Sequence, residues 1–283
     1  MSIFDSFERK HDYLVCVDSD GCVMDTMNCK HFHCFGPCMV KEWGLEQWKE
    51  EILERWNVIN LFSMTRGINR FKGLAMALGE INERYKPIVG IAALQHWTDT
   101  APALSNDAVA KASLQATDAD AKLVLEKALN WSKAVNAAIV ELDEALKVPY
   151  EGAMEGLAAA HEFADVAMVS SANRDAVEEE WGKFGLLAHT DIVLAQDVGS
   201  KAACIRQMLK FGYDPDKVLM VGDAPGDCEA AEKNGVHYYP ILVNHEKESW
   251  DEAVAVAFEK LQTGKYAPYG IEKKQAFLRN LGG

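Results

Sequence analysis

Apolar and polar positions divide the chain into two textures. Residues 13–17 form a short apolar run that suits one buried strand, and it ends at Asp18-Ser19-Asp20-Gly21. From there to Lys147 the apolar positions recur at helical spacing. Residues 41–60 carry Trp43, Leu45, Trp48, Ile52, Leu53 and Trp56 on one stripe and predict a helix. Residues 69–85 predict a second, with Phe71, Leu74, Ala75, Leu78 and Ile81 on one face. Ser105 and Asn106 suit the start of a third. Residues 118–147, rich in strong helix formers, predict the longest, stopped by Pro149.

Beyond Pro149 short apolar runs alternate with helical stretches. Strands are expected at residues 166–169, 191–194, 217–221 and 238–243. Helices are expected at 150–163, 173–184, 201–211, 226–234 and 249–261. Such alternation makes βαβ units and a parallel sheet. The fold class is therefore α/β: a Rossmann-like parallel-sheet core with an inserted all-α cap. The expected boundaries are 1–27 and 148–283 for the core and 28–147 for the cap. An insert rooted just after the first strand's tip is placed to act as a lid. Residues 1–12 read as a polar lead-in, and residues 263–283 as a charged, poorly patterned tail.

Composition narrows the chemistry. With 283 residues, 49% of them hydrophobic, the chain can bury a sizeable core, and its net charge is −14. That balance argues against a nucleic-acid backbone or an anionic membrane surface as partner. An acidic protein that handles phosphate needs local cations: a metal ion or a placed lysine. Met1 to His11 carries no signal pattern, and no apolar run is long enough to span a membrane. The seven cysteines, five of them within residues 16–38, suit reduced thiols in cytoplasm better than a disulfide framework.

Four stretches carry candidate chemistry. Asp18 and Asp20 stand at a strand's carboxyl end, where open α/β sheets place their ligands. One could attack a substrate while the other carries a proton; a calcium loop is disfavoured because further ligands at set positions are missing. A second apolar run ends in Gly222-Asp223, followed after Pro225-Gly226 by Asp227. Carboxylates converging there would repel one another without a cation, and hard oxygen ligands beside a phosphate select Mg²⁺. Asp227 could equally cap a helix start. Ser170 and Ser171 follow the 166–169 strand, placed either to cradle a phosphate with helix-start N–H groups or to act as caps. Lys201 opens a helix, an unfavourable place for a cation unless it meets an anion.

In order, Asp18-Ser-Asp20-Gly21, Ser170, Lys201 and Gly222-Asp223-Ala-Pro-Gly-Asp227 resemble the haloacid dehalogenase superfamily of phosphohydrolases. The resemblance covers residues 13–27 and 148–243, with the cap placed as in the branch that inserts it between the first and second motifs. The insert is longer than is usual there, and Lys201 lacks the prolines that often follow the family's lysine. The resemblance implies Asp18 as nucleophile forming an aspartyl-phosphate, and Asp20 as general acid and then base. It further implies Mg²⁺ on Asp18, the Asp20 carbonyl and Asp223 with Asp227 in support, and Ser170 and Lys201 on the phosphoryl oxygens; Ser171 stays a candidate from its place at the same strand tip. Asp20 favours phosphate over halide chemistry, because a halide leaves without a proton. The expected activity is Mg²⁺-dependent hydrolysis of a small phosphorylated metabolite. The alternatives are a phosphomutase, a phosphonate hydrolase, for which no lid lysine stands out, and a non-catalytic metabolite-binding protein.

Other residues weigh less. Cys29, His31, His33, Cys34 and Cys38 have soft-ligand chemistry without zinc spacing, so buried thiols on a helix are the plainer reading. Oxidation of Cys22 or Cys29 would fall close to the expected site. Arg66, with Arg70 and Lys72 around Gly67, could meet an anionic substrate, or be a solvated helix start. Trp43, Trp48 and Trp56 read as cap core, and Asn244 and His245 as a loop that could border the site. The substrate and the oligomeric state are not legible.

Overall fold

The computed structural model describes residues 3–283, so the first two residues of the expected lead-in lie outside the described residues. The chain divides into two compact units. Of the described residues, one unit holds those up to Met27 together with 144–283, and the other holds Asn28–Asp143. No helix among the described residues is long and apolar enough to cross a membrane.

The first unit is built on five strands: β1 (Tyr13–Val17), β2 (Ala164–Val169), β3 (Ile192–Leu194), β4 (Val218–Gly222) and β5 (His237–Pro240). Their order is β3-β2-β1-β4-β5, and every neighbouring pair is parallel. All of β2 and β4 is buried, as strands covered on both faces must be. Valines and methionines from β1, β2 and β4 form a core with Trp181, Trp250, Phe258 and Tyr266. Because the strands are parallel, residues following β1, β2 and β4 emerge side by side on one edge of the sheet.

The second unit is helical. It takes up the end of α1 (Thr26–Lys30), which runs through a π-helical turn at His31–Phe35 into α2 (Gly36–Trp43). Then come α3 (Lys49–Leu61), α4 (Arg70–Arg84), α5 (Ile91–Thr100), α6 (Asn106–Gln115) and α7 (Ala119–Val140). Its core centres on fully buried Trp131, which meets Trp56 and Phe71 edge-on at 6.0 and 6.1 Å. Asn69, Ser105 and Asp118 cap α4, α6 and α7 with side-chain oxygens.

Several expected elements are corrected. The single helix over 41–60 is two, because the chain turns left-handed at Gly44 (φ 62°), which closes α2. α7 ends at Val140 rather than running to Lys147, and Leu142 beyond it is buried. Pro149 instead pairs with Met24. The helix expected from 150 begins only at α8 (Ala153–His161), after left-handed Gly152. α9 (Arg174–Lys183), α10 (Lys201–Leu209) and α11 (Pro225–Asn234) follow the expected stretches. α12 (Glu246–Glu252) and α13 (Phe258–Gln262) are joined by a π-helical turn. The tail is not patternless: α14 (Tyr266–Asn280) buries Tyr266 and Phe277 and packs on β5.

Candidate active site

Asp18 is the first residue past β1. Its N–H donates to the Val221 carbonyl of neighbouring β4 at 3.0 Å, which seats it at the sheet edge. The chain then makes a tight turn. The Ser19 carbonyl accepts N–H groups from Cys22, Val23 and Met24, and the Gly21 N–H returns to Met24 at 2.8 Å. Gly21 sits at φ 86°, a conformation that glycine reaches without a Cβ clash. Asp20 is half-buried, and its Oδ1 accepts a short hydrogen bond from the buried Thr26 hydroxyl.

The turn after β4 brings in the next acids. Asp223 is 1% exposed and Asp227 fully buried. Carboxylate oxygens of Asp18, Asp223 and Asp227 all lie within 4.8 Å of one another. Asp227 folds back beneath the turn: Oδ2 accepts the Ala224 N–H at 3.0 Å, while Oδ1 lies 2.5 Å from Lys201 Nζ. The cap and the ion pair are thus both present, on different oxygens.

Lys201 is the first residue of α10, whose N-cap is Ser200. Its ammonium also lies 2.8 Å from Asp18 Oδ2. Here is the reason for a cation at a helix start: it lies between two buried carboxylates. Burial works against the charge of Lys201, but Asp18 and Asp227 outweigh it and raise its pKa above the usual lysine value. Burial pushes the Asp18 carboxyl well above the usual carboxylate range. Lys201 pulls it down, and Asp227 and Asp223 push it further up. Three buried carboxyl groups face one ammonium, a set of hard oxygen ligands that suits a divalent cation.

Ser170 follows β2 and is 3% exposed; its N–H donates to Leu194, and its Oγ accepts the Ala172 N–H at 3.1 Å. The cap of α9 is Asn173 rather than either serine. Ser171 is exposed. Arg66 lies in the helical unit, 2% exposed, with Nη1 donating to the Leu61 carbonyl at 2.8 Å. Arg70 bonds Ser132 and Asn136 and lies over the Phe35 ring, and Lys72 is exposed.

The remaining candidates fall elsewhere. Cys29 and Cys34 are buried on helix, and His31 Nδ1 accepts the Trp56 indole N–H at 3.1 Å. Among the described residues, Asp18, Asp223 and Asp227 form the only group of acidic, His or Cys side chains close enough to share an ion. Cys22 is fully buried. Its burial and the nearby Asp223, Asp18 and Asp227 hold its thiol protonated, which leaves it a poor target for oxidation. Asn244 takes a left-handed φ of 64° in an exposed loop after β5. The sequence pattern assigns no role to Thr26, and Gly222 enters it only as part of the motif around Asp223. A Cβ on Gly222 would come within 2.4 Å of the Asp227 carboxyl carbon. Its place between an apolar run and an aspartate was the only local signal.

A family model described as haloacid dehalogenase-like hydrolase matches residues 103–241, which include Ser170, Lys201, Asp223 and Asp227. Comparison with curated proteins gives no match. Among solved structures, a candidate phosphoglycolate phosphatase from Lactobacillus delbrueckii subsp. bulgaricus is 11% identical. It covers 81% of this chain and 85% of its own at a TM-score of 0.50, and so shares the fold. A candidate β-phosphoglucomutase from Thermotoga maritima, 16% identical, covers 81% and 84% at a TM-score of 0.48. The family match spans just under half of the chain and leaves out β1 and Asp18; over residues 103–241 the chain is similar to haloacid dehalogenase-like hydrolases.

Proposed function

We propose that the protein is a Mg²⁺-dependent phosphatase of small phosphorylated metabolites, working through an aspartyl-phosphate on Asp18. The observation that carries this reading is the placement of Lys201 between Asp18 and Asp227, with Asp223 alongside. Asp18 attacks phosphorus and the ester oxygen departs. Asp20 gives that oxygen its proton and later takes one from the water that frees phosphate. The Thr26 hydroxyl on Asp20 Oδ1 orients that carboxyl. Lys201 holds negative charge on the phosphoryl oxygens. Ser170 offers its hydroxyl proton to one of them while Ala172 N–H fixes its oxygen. Asp18, the Asp20 carbonyl and Asp223 would hold Mg²⁺, with Asp227 supporting through its tie to Lys201; when bound, the ion would neutralise charge at the reacting phosphoryl group. Ser171 is a further candidate for substrate contact.

The test is hydrolysis of p-nitrophenyl phosphate with and without Mg²⁺, and by Asp18→Asn. Turnover that needs Mg²⁺ and falls at least about a thousandfold in the variant is expected. An inert wild-type protein, or an active Asp18→Asn, would sink the proposal.

A further inference from the structure

Two tryptophans reach the turn that carries Asp18 and Asp20, each from a helix distant in sequence. Trp181, on α9, is fully buried, and its Nε1–H donates to Ser19 Oγ at 2.8 Å. Trp250, on α12, is 1% exposed, and its Nε1–H donates to the Cys22 carbonyl at 3.0 Å. Ser19 stands between the two aspartates, and its carbonyl gathers the three N–H groups that close the turn. Trp181 therefore grips the side chain of the residue whose backbone organises the loop. Trp250 grips the far side of the same loop.

Apolar filling alone does not account for indoles here. The indole N–H is a donor only, and burying it without a partner is unfavourable, so its direction is specific. The fold also makes room for one ring at close quarters. A Cβ on Gly156 of α8 would lie 2.2 Å from Trp250 Cε3. α9 begins just after the loop bearing Ser170, so Trp181 ties that segment to the one bearing Asp18.

We propose that Trp181 and Trp250 are positioning residues that hold the Asp18-to-Met24 turn and thereby aim the Asp20 carboxyl. The catalytic half of this statement rests on the phosphatase reading of Asp18 and Asp20. Aim matters most where a proton must be delivered. An alkyl phosphate needs Asp20 to protonate its leaving oxygen, whereas p-nitrophenolate departs without a proton.

Trp181→Phe and Ser19→Ala remove donor and acceptor while keeping ring and backbone. Each is expected to lower kcat/KM about tenfold for glycerol 2-phosphate and less than about threefold for p-nitrophenyl phosphate. The double variant should be no slower than the slower single, because both remove one interaction. Hydrogen exchange over residues 18–27 tests the tie without any turnover. It should quicken in Trp181→Phe, Ser19→Ala and Trp250→Phe. It should stay unchanged in Trp131→Phe, which loses an indole donor to the Phe35 carbonyl in the helical unit. Unchanged exchange in the first three variants, equal losses on both esters, or losses that multiply in the double variant would overturn the proposal. A wild-type protein inert toward both esters would instead overturn the phosphatase reading, and exchange alone would then decide whether the tie holds the turn.

Discussion

Gly222 ends β4 because the Asp227 carboxyl fills the space a side chain would need. A Cβ there would meet Asp227 Cγ, Cβ and Oδ2 at 2.4 to 2.5 Å. Gly222→Ala must push Asp227 away from Lys201 and from the Ala224 N–H. The expected loss of stability is about 1–3 kcal/mol, read by thermal unfolding. Asp223→Asn is a sharper probe of cation binding, since it removes one of the three clustered carboxyl groups with little change of volume. Mg²⁺ should raise the melting temperature of the wild-type protein and raise it far less in this variant. An equal shift in both would show that the ion binds elsewhere.

At the scale of elements, polar groups at the amino-terminal end of the sheet lock the lead-in to the strands. Asp191, just before β3, accepts Lys10 Nζ at 2.8 Å and the Val166 N–H at 2.8 Å, and lies 3.2 Å from His161 Nε2. Burial raises its pKa, but Lys10, the Val166 N–H and His161 prevail, so the net shift is downward. A carboxylate with a lowered folded-state pKa adds stability that is present above its unfolded value, near 3.8. That stability is lost as pH falls through the folded value. Asp191→Asn should therefore melt lower than wild type at pH 7, with the gap closing as pH drops below 4. A gap constant across that range would remove the carboxylate's charge from the account. At the other side of the sheet α14 covers edge strand β5, and Asn280 hydrogen-bonds both the N–H and the carbonyl of Val243. Truncation after Gly264 should expose that edge and yield aggregates detectable by light scattering.

Legibility in the sequence follows the range of the interactions involved. Strand tips were readable because an apolar run followed by Asp or Ser is a local signal, as at Asp18, Ser170 and Asp223. The start of β2 was misplaced because Asp165 looks like a loop residue. It is fully buried inside the strand, with its carboxylate taking N–H groups from Lys10 and His11 and the hydroxyl of Tyr213. Those partners are remote in the chain. Trp181 and Trp250 escaped notice for the same reason. α14 escaped because its buried residues are spaced widely among charges. The break at Gly44 was hidden because apolar spacing continues across it.

For the whole molecule, each unit has an apolar core of its own. The helical unit is continuous in sequence, Asn28–Asp143, so a fragment of those residues should fold alone. A cooperative thermal transition in its circular dichroism is the expected result; a gradual slope would show that its core needs the rest of the chain. The sheet-bearing unit is discontinuous, and its two pieces are joined where the insert departs and returns. There the Asp25 N–H donates to the Val148 carbonyl and the Tyr150 N–H to the Val23 carbonyl, both at 2.8 Å, around the pairing of Met24 with Pro149. This clasp makes the insert a loop with fixed ends, and the entropy of closing such a loop grows only logarithmically with its length. For the insert as an unfolded chain, doubling its length would add only about 0.6 kcal/mol to the closure cost. A clasp of this kind frees the inserted length to drift at little thermodynamic penalty, so an unusually long insertion is no burden to the sheet that hosts it.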